Sequence, residues 1–395
     1  MKLENKEFTF DSFLSEMTKL KQEKHFDYLV TIVGEDFGPE EGLGCIYILE
    51  NTETHERISV KQLAKQVGDE YVIPSLYYVW ADVNLLEREV FDFFGIKFLG
   101  HPDMRRLYMR NDFEGWPLRK DFDMSPEKNR FPMTDEPESD WTSEWNLDEH
   151  GNLKETRHRM FDEDDFVMNF GPNHPSTHGV LRLQTVVNGE TIKHVYPHLG
   201  YIHRGMEKMM ESMTYPQTLA MTDRLNYLCA MHHRHALVGV IEEAMGVELT
   251  ERIQYIRTIM DELQRINNHL LFLGTCAQDL SALTAFLYCM RDREHLLNVM
   301  EETTGGRLIQ NYYRIGGLQD DIDPNFVQNV KTFCTYMRPN VQEYLDVFGD
   351  NVITHQRLEG VGFMNLKDSI DYALTGPAGR AAGWKNDVRK NHAYA

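Results

Sequence analysis

The stretch GPNHPSTHG, Gly171 to Gly179, sets His174 and His178 four residues apart, with Pro175 after the first and glycines at both ends. A histidine pair can ligate a metal, pass a proton or complete a polar turn. Zinc requires a third or fourth ligand that this stretch does not supply. With an ordinary pKa near ~6.5, imidazole is the side chain best suited to proton transfer at neutral pH. A nearby carboxylate would orient such a ring and raise its proton affinity. Asp279, in the otherwise apolar FLGTCAQDL, is the candidate, because an acid in that setting needs a partner.

A second cluster, YLCAMHHRH, holds Cys229, His232, His233 and His235. On a helix Cys229 shares a side with His232 and His233, an arrangement able to hold zinc, yet the spacing matches no structural zinc pattern. Hydrogen-bonded helix histidines are the plainer reading. Cations gather at Arg105, Arg106, Arg119 and Lys120, within Glu87 to Phe122, in a chain that is otherwise acidic. They read either as a solvated face or as a docking edge for an acidic partner. No nucleophile elbow, P-loop or dinucleotide GxGxxG occurs, which weighs against hydrolase, NTPase and self-contained dehydrogenase.

These residues need elements to hold them. FDYLVTIV (Phe26 to Val33), CIYIL (Cys45 to Leu49) and LYYVWAD (Leu76 to Asp82) have the β-branched and aromatic content of strands. FDSFLSEMTKL predicts a helix, and so does Asn84 to Ile96, capped by Asn84 and stopped near Gly95. RISVKQLAKQV fits a strand and a helix equally. Residues 1–122 therefore form a small α+β domain. From 123 to 165 the texture is 14 acidic against 5 basic residues without sustained period, a linker with little structure of its own, in which Trp141 and Trp145 could pin WTSEW to a neighbouring surface.

Residues 166–395 form the second domain. VLRLQTVVNGETIKHVYPHL is a hairpin turning at Asn188-Gly189, and the GPNHPSTHG loop leads into its first strand. Helices are then expected from about Leu225 to Met245, from Thr250 past Leu273, from Leu283 to Thr303, and after Pro324 with an interruption at Pro339. In the second, Ile253, Ile256, Met260, Leu263, Ile266 and Leu270 share one face. The fold class is α+β: a small α/β domain, then a mainly helical domain with an N-terminal hairpin layer.

The formal charge of -21 over 395 residues argues against nucleic acid or a bare anionic membrane as partner. Hydrophobic residues make up 42% and charged ones 26%, the balance of a globular protein with apolar surface to bury. Neither a run of eighteen apolar residues nor a secretion signal is visible, so a soluble or peripheral protein is expected. Five cysteines, with no CxxC pair, argue for reduced thiols and against a chain-borne iron–sulfur cluster.

EREVFDFFGIKFLGHPDMRR with DFEGWPLRKDF resembles the C subunit of respiratory complex I, the proton-pumping NADH:quinone oxidoreductase. GPNHPSTHGVLRL, HLGYIHRGMEKMMES and the run from IRTIMDELQRINNHLLFLGT to NYYRIGGL resemble its D subunit, so the two are fused here. The D subunit is also similar to the large subunit of nickel–iron hydrogenases, the rival function. Hydrogenases place a CGxC pair where this chain has Asn226-Tyr227-Leu228-Cys229, and a nickel–iron centre needs four thiolates. A scaffold without a site is the remaining alternative.

The resemblance implies that His178 and Tyr227 hydrogen-bond a quinone, ubiquinone or menaquinone, from opposite carbonyl oxygens, with Asp279 orienting the histidine. His174 is implied as a wall of that pocket. His203 and Arg204, in YIHRG, are implied beside a [4Fe-4S] cluster carried by the adjacent B subunit, with no metal or cofactor bound by this chain alone. Implied partners are the B, I and membrane H subunits, on the cytoplasmic side of a bacterial inner membrane. Relatives carry a histidine near the cluster where this chain has Ile309, and such a change would suit a low-potential quinone. The chain stops at VRKNHAYA, inside the usual length of a D subunit, so a further C-terminal segment is expected.

Overall fold

The computed structural model describes residues 4–125, 140–162, 164–391 and 393. It divides into two compact units, one of residues 1–208 with 364–391 and one of residues 209–363 with 392–395. The hairpin that the sequence assigns to the helical domain thus groups with the N-terminal sheets.

The first unit opens with β1 (Glu4–Glu7), α1 (Phe10–Gln22), β2 (Tyr28–Asp36), β3 (Leu43–Glu50) and β4 (Arg57–Leu63). The strands form a sheet in the order β1-β4-β3-β2, with only β1 and β4 parallel. The ambiguous RISVKQLAKQV is strand on either side of Ala64, β4 followed by β5 (Lys65–Val67), with Ile58 and Val60 of β4 buried in the core. Then come β6 (Glu70–Pro74), α2 (Val83–Phe94) and β7 (Ile96–Leu99). Helix α2 buries Val90, Phe91, Phe93 and Phe94, each contributing roughly 1.5–3 kcal/mol on leaving water. It ends at Gly95, whose φ of 71° is left-handed.

Two expectations fail here. LYYVWAD is no strand: it turns, so that Trp80 enters the core and its indole N–H donates to Asp27 O at 3.1 Å. The turn is anchored by Glu87, which accepts from Ser75 Oγ at 2.6 Å and from the Leu76 N–H at 2.8 Å. Nor does Asn84 cap α2, since Asp82 is the flanking residue.

The acidic linker is also corrected where it is described. Residues 126–139 lie outside the described residues, but β8 (Trp141–Leu147) and β9 (Leu153–Arg159) extend the second sheet to β5-β6-β7-β8-β9. Trp145 does pin this stretch: its ring packs on the core and under Lys97 Nζ at 3.8 Å from the centroid. Next follow β10 (Phe166–Phe170), β11 (Asn173–His174), β12 (Gly179–Val180), β13 (Arg182–Asn188), β14 (Thr191–His198) and α3 (Met206–Met210). The expected hairpin pairs Asn188 with Thr191. A stretch the sequence left unassigned, Leu366–Ala381, packs on this unit too: Lys21 Nζ meets Asp371 at 2.7 Å, and the Tyr28 hydroxyl donates to Ala373 O at 3.2 Å.

The second unit is helical: α4 (Tyr215–Thr222), α5 (Ala230–Met245), α6 (Glu251–Asp279), α7 (Leu283–Thr304), the short pair β15 (Tyr313–Arg314) and β16 (Gly317–Leu318), and α8 (Phe326–Tyr344). Thr250 caps α6 as expected, accepting from the Ile253 N–H at 3.5 Å. Helix α5 starts at Ala230 rather than Leu225, leaving Tyr227 in a turn. Pro339 lies inside α8 without ending it. No helix among the described residues is long and apolar enough to cross a membrane.

Burial pushes the Glu87 carboxyl up to about 8, against the smaller opposing pull of its Leu76 and Ser75 donors. A raised acid pKa means that the folded chain holds a proton the unfolded chain has lost. Its stabilising contribution is complete below the ordinary carboxylate range and declines as pH rises to about 8. Glu87→Gln is expected to flatten the fall in stability between pH 6 and 8, measured by chemical unfolding at a series of pH values.

Candidate functional site

The histidine loop is a short built turn. Gly171 has φ +90°, and a Cβ there would come within 1.9 Å of Leu181 O, so glycine is required. β11 pairs with β12, Asn173 opposite Val180, and a 3-10 turn over Pro175–Thr177 joins them. His174 Nδ1 accepts from the Ser176 N–H at 3.2 Å, and its ring lies edge-on to Phe170. His174 thus completes a polar turn with its own loop backbone. The Thr177 hydroxyl lies 2.8 Å from His174 O and 2.9 Å from Gly179 O, tying the turn across. His178 closes it in left-handed conformation, φ 49°, and is exposed.

His203 is half-buried, stacked on Phe93 with centroids 5.0 Å apart, and its Nδ1 accepts from the Gly205 N–H at 3.3 Å. Arg204, beside it, is exposed. The docking-edge reading of the cations does not hold for the three arginines. Arg105 is bidentate to Asp103 at 2.6 Å for both bonds. Arg106 binds Asp92 Oδ1 at 2.8 Å and the carbonyls of Phe113 and Gly115, both at 2.9 Å, while Arg119 donates to Phe94 O at 2.6 Å. A cavity of about 130 Å³ between this loop and the hairpin is lined by Arg88, Arg105, Arg106, Arg110 and Arg182 and contains none of the expected site residues.

Tyr227 and Asp279 belong to the second unit. Tyr227 is 53% exposed in the turn before α5, and its hydroxyl has no partner among the described residues. Asp279 is the last residue of α6 and is exposed, so the burial that would demand a partner for it is absent. The two expected quinone donors, His178 and Tyr227, fall in different units.

The YLCAMHHRH cluster resolves into separate roles. Cys229 is half-buried at the start of α5, and burial pushes its thiol up, which disfavours the thiolate a metal needs. Burial lowers the proton affinity of His232 and His233. His235 is committed: its Nδ1 lies 2.6 Å from Asp261 Oδ2, and the Tyr313 hydroxyl donates to Asp261 Oδ1 at 2.7 Å. All three are buried. Among the described residues no group of three or more histidine, cysteine or acidic side chains could hold a metal ion.

What sequence reasoning missed is a buried polar stripe on α6, Arg257, Asp261, Gln264 and Asn267, beside the apolar face it found. Arg257 is bidentate to Glu242 of α5 at 2.9 and 2.8 Å, and Gln264 Nε2 donates to Leu228 O at 2.6 Å. The signal was present as polar residues at steps of four, three and three, a helical spacing that a count of apolar positions passes over.

The comparisons with known proteins agree with a chain of two parts. The family model described as the 30 kDa subunit of respiratory-chain NADH dehydrogenase matches residues 8–128, and that of its 49 kDa subunit matches residues 279–395. The C/D subunit of NADH-quinone oxidoreductase from Phocaeicola vulgatus is 54% identical over 380 residues, covering 96% of this chain and 72% of that protein. The chain belongs to the fused C/D subunits of NADH-quinone oxidoreductase. The corresponding C/D subunit of Bacteroides thetaiotaomicron is 51% identical over 389 residues, covering 96% and 73%, and the second C/D subunit of Aquifex aeolicus is 37% identical over 397 residues, covering 97% and 67%. Among solved structures, an archaeal membrane-bound sulfane sulfur reductase, a respiratory membrane complex, matches with TM-score 0.57 and 28% identity over 59% of this chain and 63% of that one. Membership in the C/D family places the chain among subunits of a multisubunit oxidoreductase, and the single cysteine at Asn226–Cys229 suits that family better than a hydrogenase centre.

Asp261→Ala would leave His235 and Tyr313 buried without their shared acceptor. It is expected to cost about 3–5 kcal/mol, read from the urea midpoint of the purified chain.

Proposed function

We propose that this chain forms most of the quinone site of NADH-quinone oxidoreductase, against the B subunit that carries the terminal [4Fe-4S] cluster. The observation that carries the reading is Tyr227: a phenol in a turn, half-exposed, with a hydroxyl that no protein group among the described residues occupies. A hydroxyl left in that state is available to a ligand oxygen. His178 is exposed at the end of a turn whose backbone is fixed by Gly171 and Thr177.

In this reading the cluster of the neighbouring subunit supplies electrons, and this chain supplies protons and fixed donors. Charge grows on both ring oxygens as a quinone is reduced. The Tyr227 O–H donates at one oxygen and a ring N–H of His178 at the other, and donors already in place stabilise that charge as it develops. Asp279 orients His178, while His174 lines the pocket. Arg204, exposed at the turn after β14, presents a cation to the cluster and would raise its potential. The surroundings are completed by the I and membrane H subunits, on the cytoplasmic face. Ubiquinone and menaquinone both fit this scheme.

In assembled complex, Tyr227→Phe and His178→Ala are each expected to lower quinone reduction by about 100-fold, while electron delivery to an artificial acceptor that bypasses quinone continues. Unaltered quinone turnover in both variants would instead favour a scaffold without a site.

A further inference from the structure

The turn that carries Tyr227 is poorly secured by its own residues. Helix α5 begins after Cys229, whose φ of -127° and ψ of 37° are not helical and whose side chain makes no capping bond. Inside the turn, Asn226 Oδ1 accepts from the Leu228 N–H at 3.0 Å, and Asn226 O accepts from the Cys229 N–H at 3.0 Å. Both bonds set the shape of the turn and leave its place in the unit undetermined.

Place is set from outside. At the upstream end Arg234 Nη1 holds Asp223 Oδ2 at 2.7 Å. At the downstream end the α6 side chain Gln264 donates from Nε2 to Leu228 O at 2.6 Å, one residue from Tyr227. Gln264 is fully buried, and its Oε1 has no partner among the described residues. A buried amide with one satisfied group is costly to keep, so the single bond it makes must account for its presence. On the same stripe of α6, Asp261 and Arg257 fasten α5 through His235 and Glu242, so the helix presenting Gln264 is itself held in register.

We propose that Gln264 is the positioning residue for Tyr227, fixing through the Leu228 carbonyl where the phenol stands. This assignment rests on the quinone reading of Tyr227 given above. A small swing of the Leu228 peptide is amplified at the phenol oxygen, far out on the side chain, and a displacement of about 1 Å at a reacting group is enough to cost up to about 100-fold in rate.

The test uses assembled complex carrying Gln264→Met, which keeps the length and removes the donor, and Gln264→Asn, which keeps the amide one methylene short. Tyr227→Phe and the Gln264→Met/Tyr227→Phe double variant complete the set. Each Gln264 variant is expected to lower kcat/KM for a soluble short-chain quinone about tenfold, while transfer to an artificial acceptor and the unfolding temperature of the assembled enzyme stay close to the parent. In the double variant the loss should be no greater than for Tyr227→Phe alone, because Gln264 acts only through that hydroxyl. Additive losses, normal quinone kinetics in both Gln264 variants, or failure of both to assemble would each overturn the assignment, the last by making Gln264 a folding residue. A damaged Tyr227→Phe beside intact Gln264 variants removes only this assignment, whereas an active Tyr227→Phe removes the quinone reading beneath it.

Discussion

A carboxylate taken out of water must find donors, and this chain turns that requirement into its main means of joining helices to irregular backbone. Asp92, fully buried on α2, accepts from the N–H groups of Leu107, Tyr108 and Met109 at 3.0, 2.6 and 2.8 Å, and from Arg106. Asp261 gathers His235 and Tyr313, and Glu242 holds Arg257 and the Gly316 N–H. Asp292 on α7 accepts from Tyr336, Asn340 and Tyr344 of α8. Leaving any of these acids unpaired would cost several kcal/mol, so each defines where its donors must stand. Loops that apolar packing could not specify are fixed in this way.

The same demand explains why an acidic protein keeps several of its arginines inside. With a formal charge of -21, exposed cations would be expected to balance the surface. Instead Arg88, Arg234 and Arg257 are among its most buried side chains, and Arg106 divides its donors between Asp92 and two loop carbonyls. A guanidinium has five donors in a fixed plane, so one residue can satisfy a carboxylate and tie two strands of backbone together.

Much of the scaffold was legible because it follows from period and punctuation. The hairpin at Asn188-Gly189, the cap at Thr250, the stop at Gly95, and the long helices α6 and α7 all obey local rules that hold wherever the chain folds. LYYVWAD defeated them because Glu87, eleven residues beyond Leu76, captures the backbone and turns it inward. WTSEW was read as linker because the acids of the stretch around it mask its short alternation, yet β7 offered an open edge, and pairing Leu99 with Trp145 made a strand of it.

The sequence by itself determined the composition, the helical periods, the turns and the identity of the chemical groups: the histidines of GPNHPSTHG, the amide of Asn226 where a hydrogenase keeps a thiol, with the phenol of Tyr227 beside it, and the family these motifs resemble. Those are local properties, written in neighbouring residues. Only the tertiary structure decided which polar groups are buried and with whom. Nothing near Gln264 in the chain names Leu228 as its acceptor, and nothing near Asp279 announces that it lies at the surface. Burial and pairing are contacts between residues distant in sequence, and their energies exist only once the chain has closed around them.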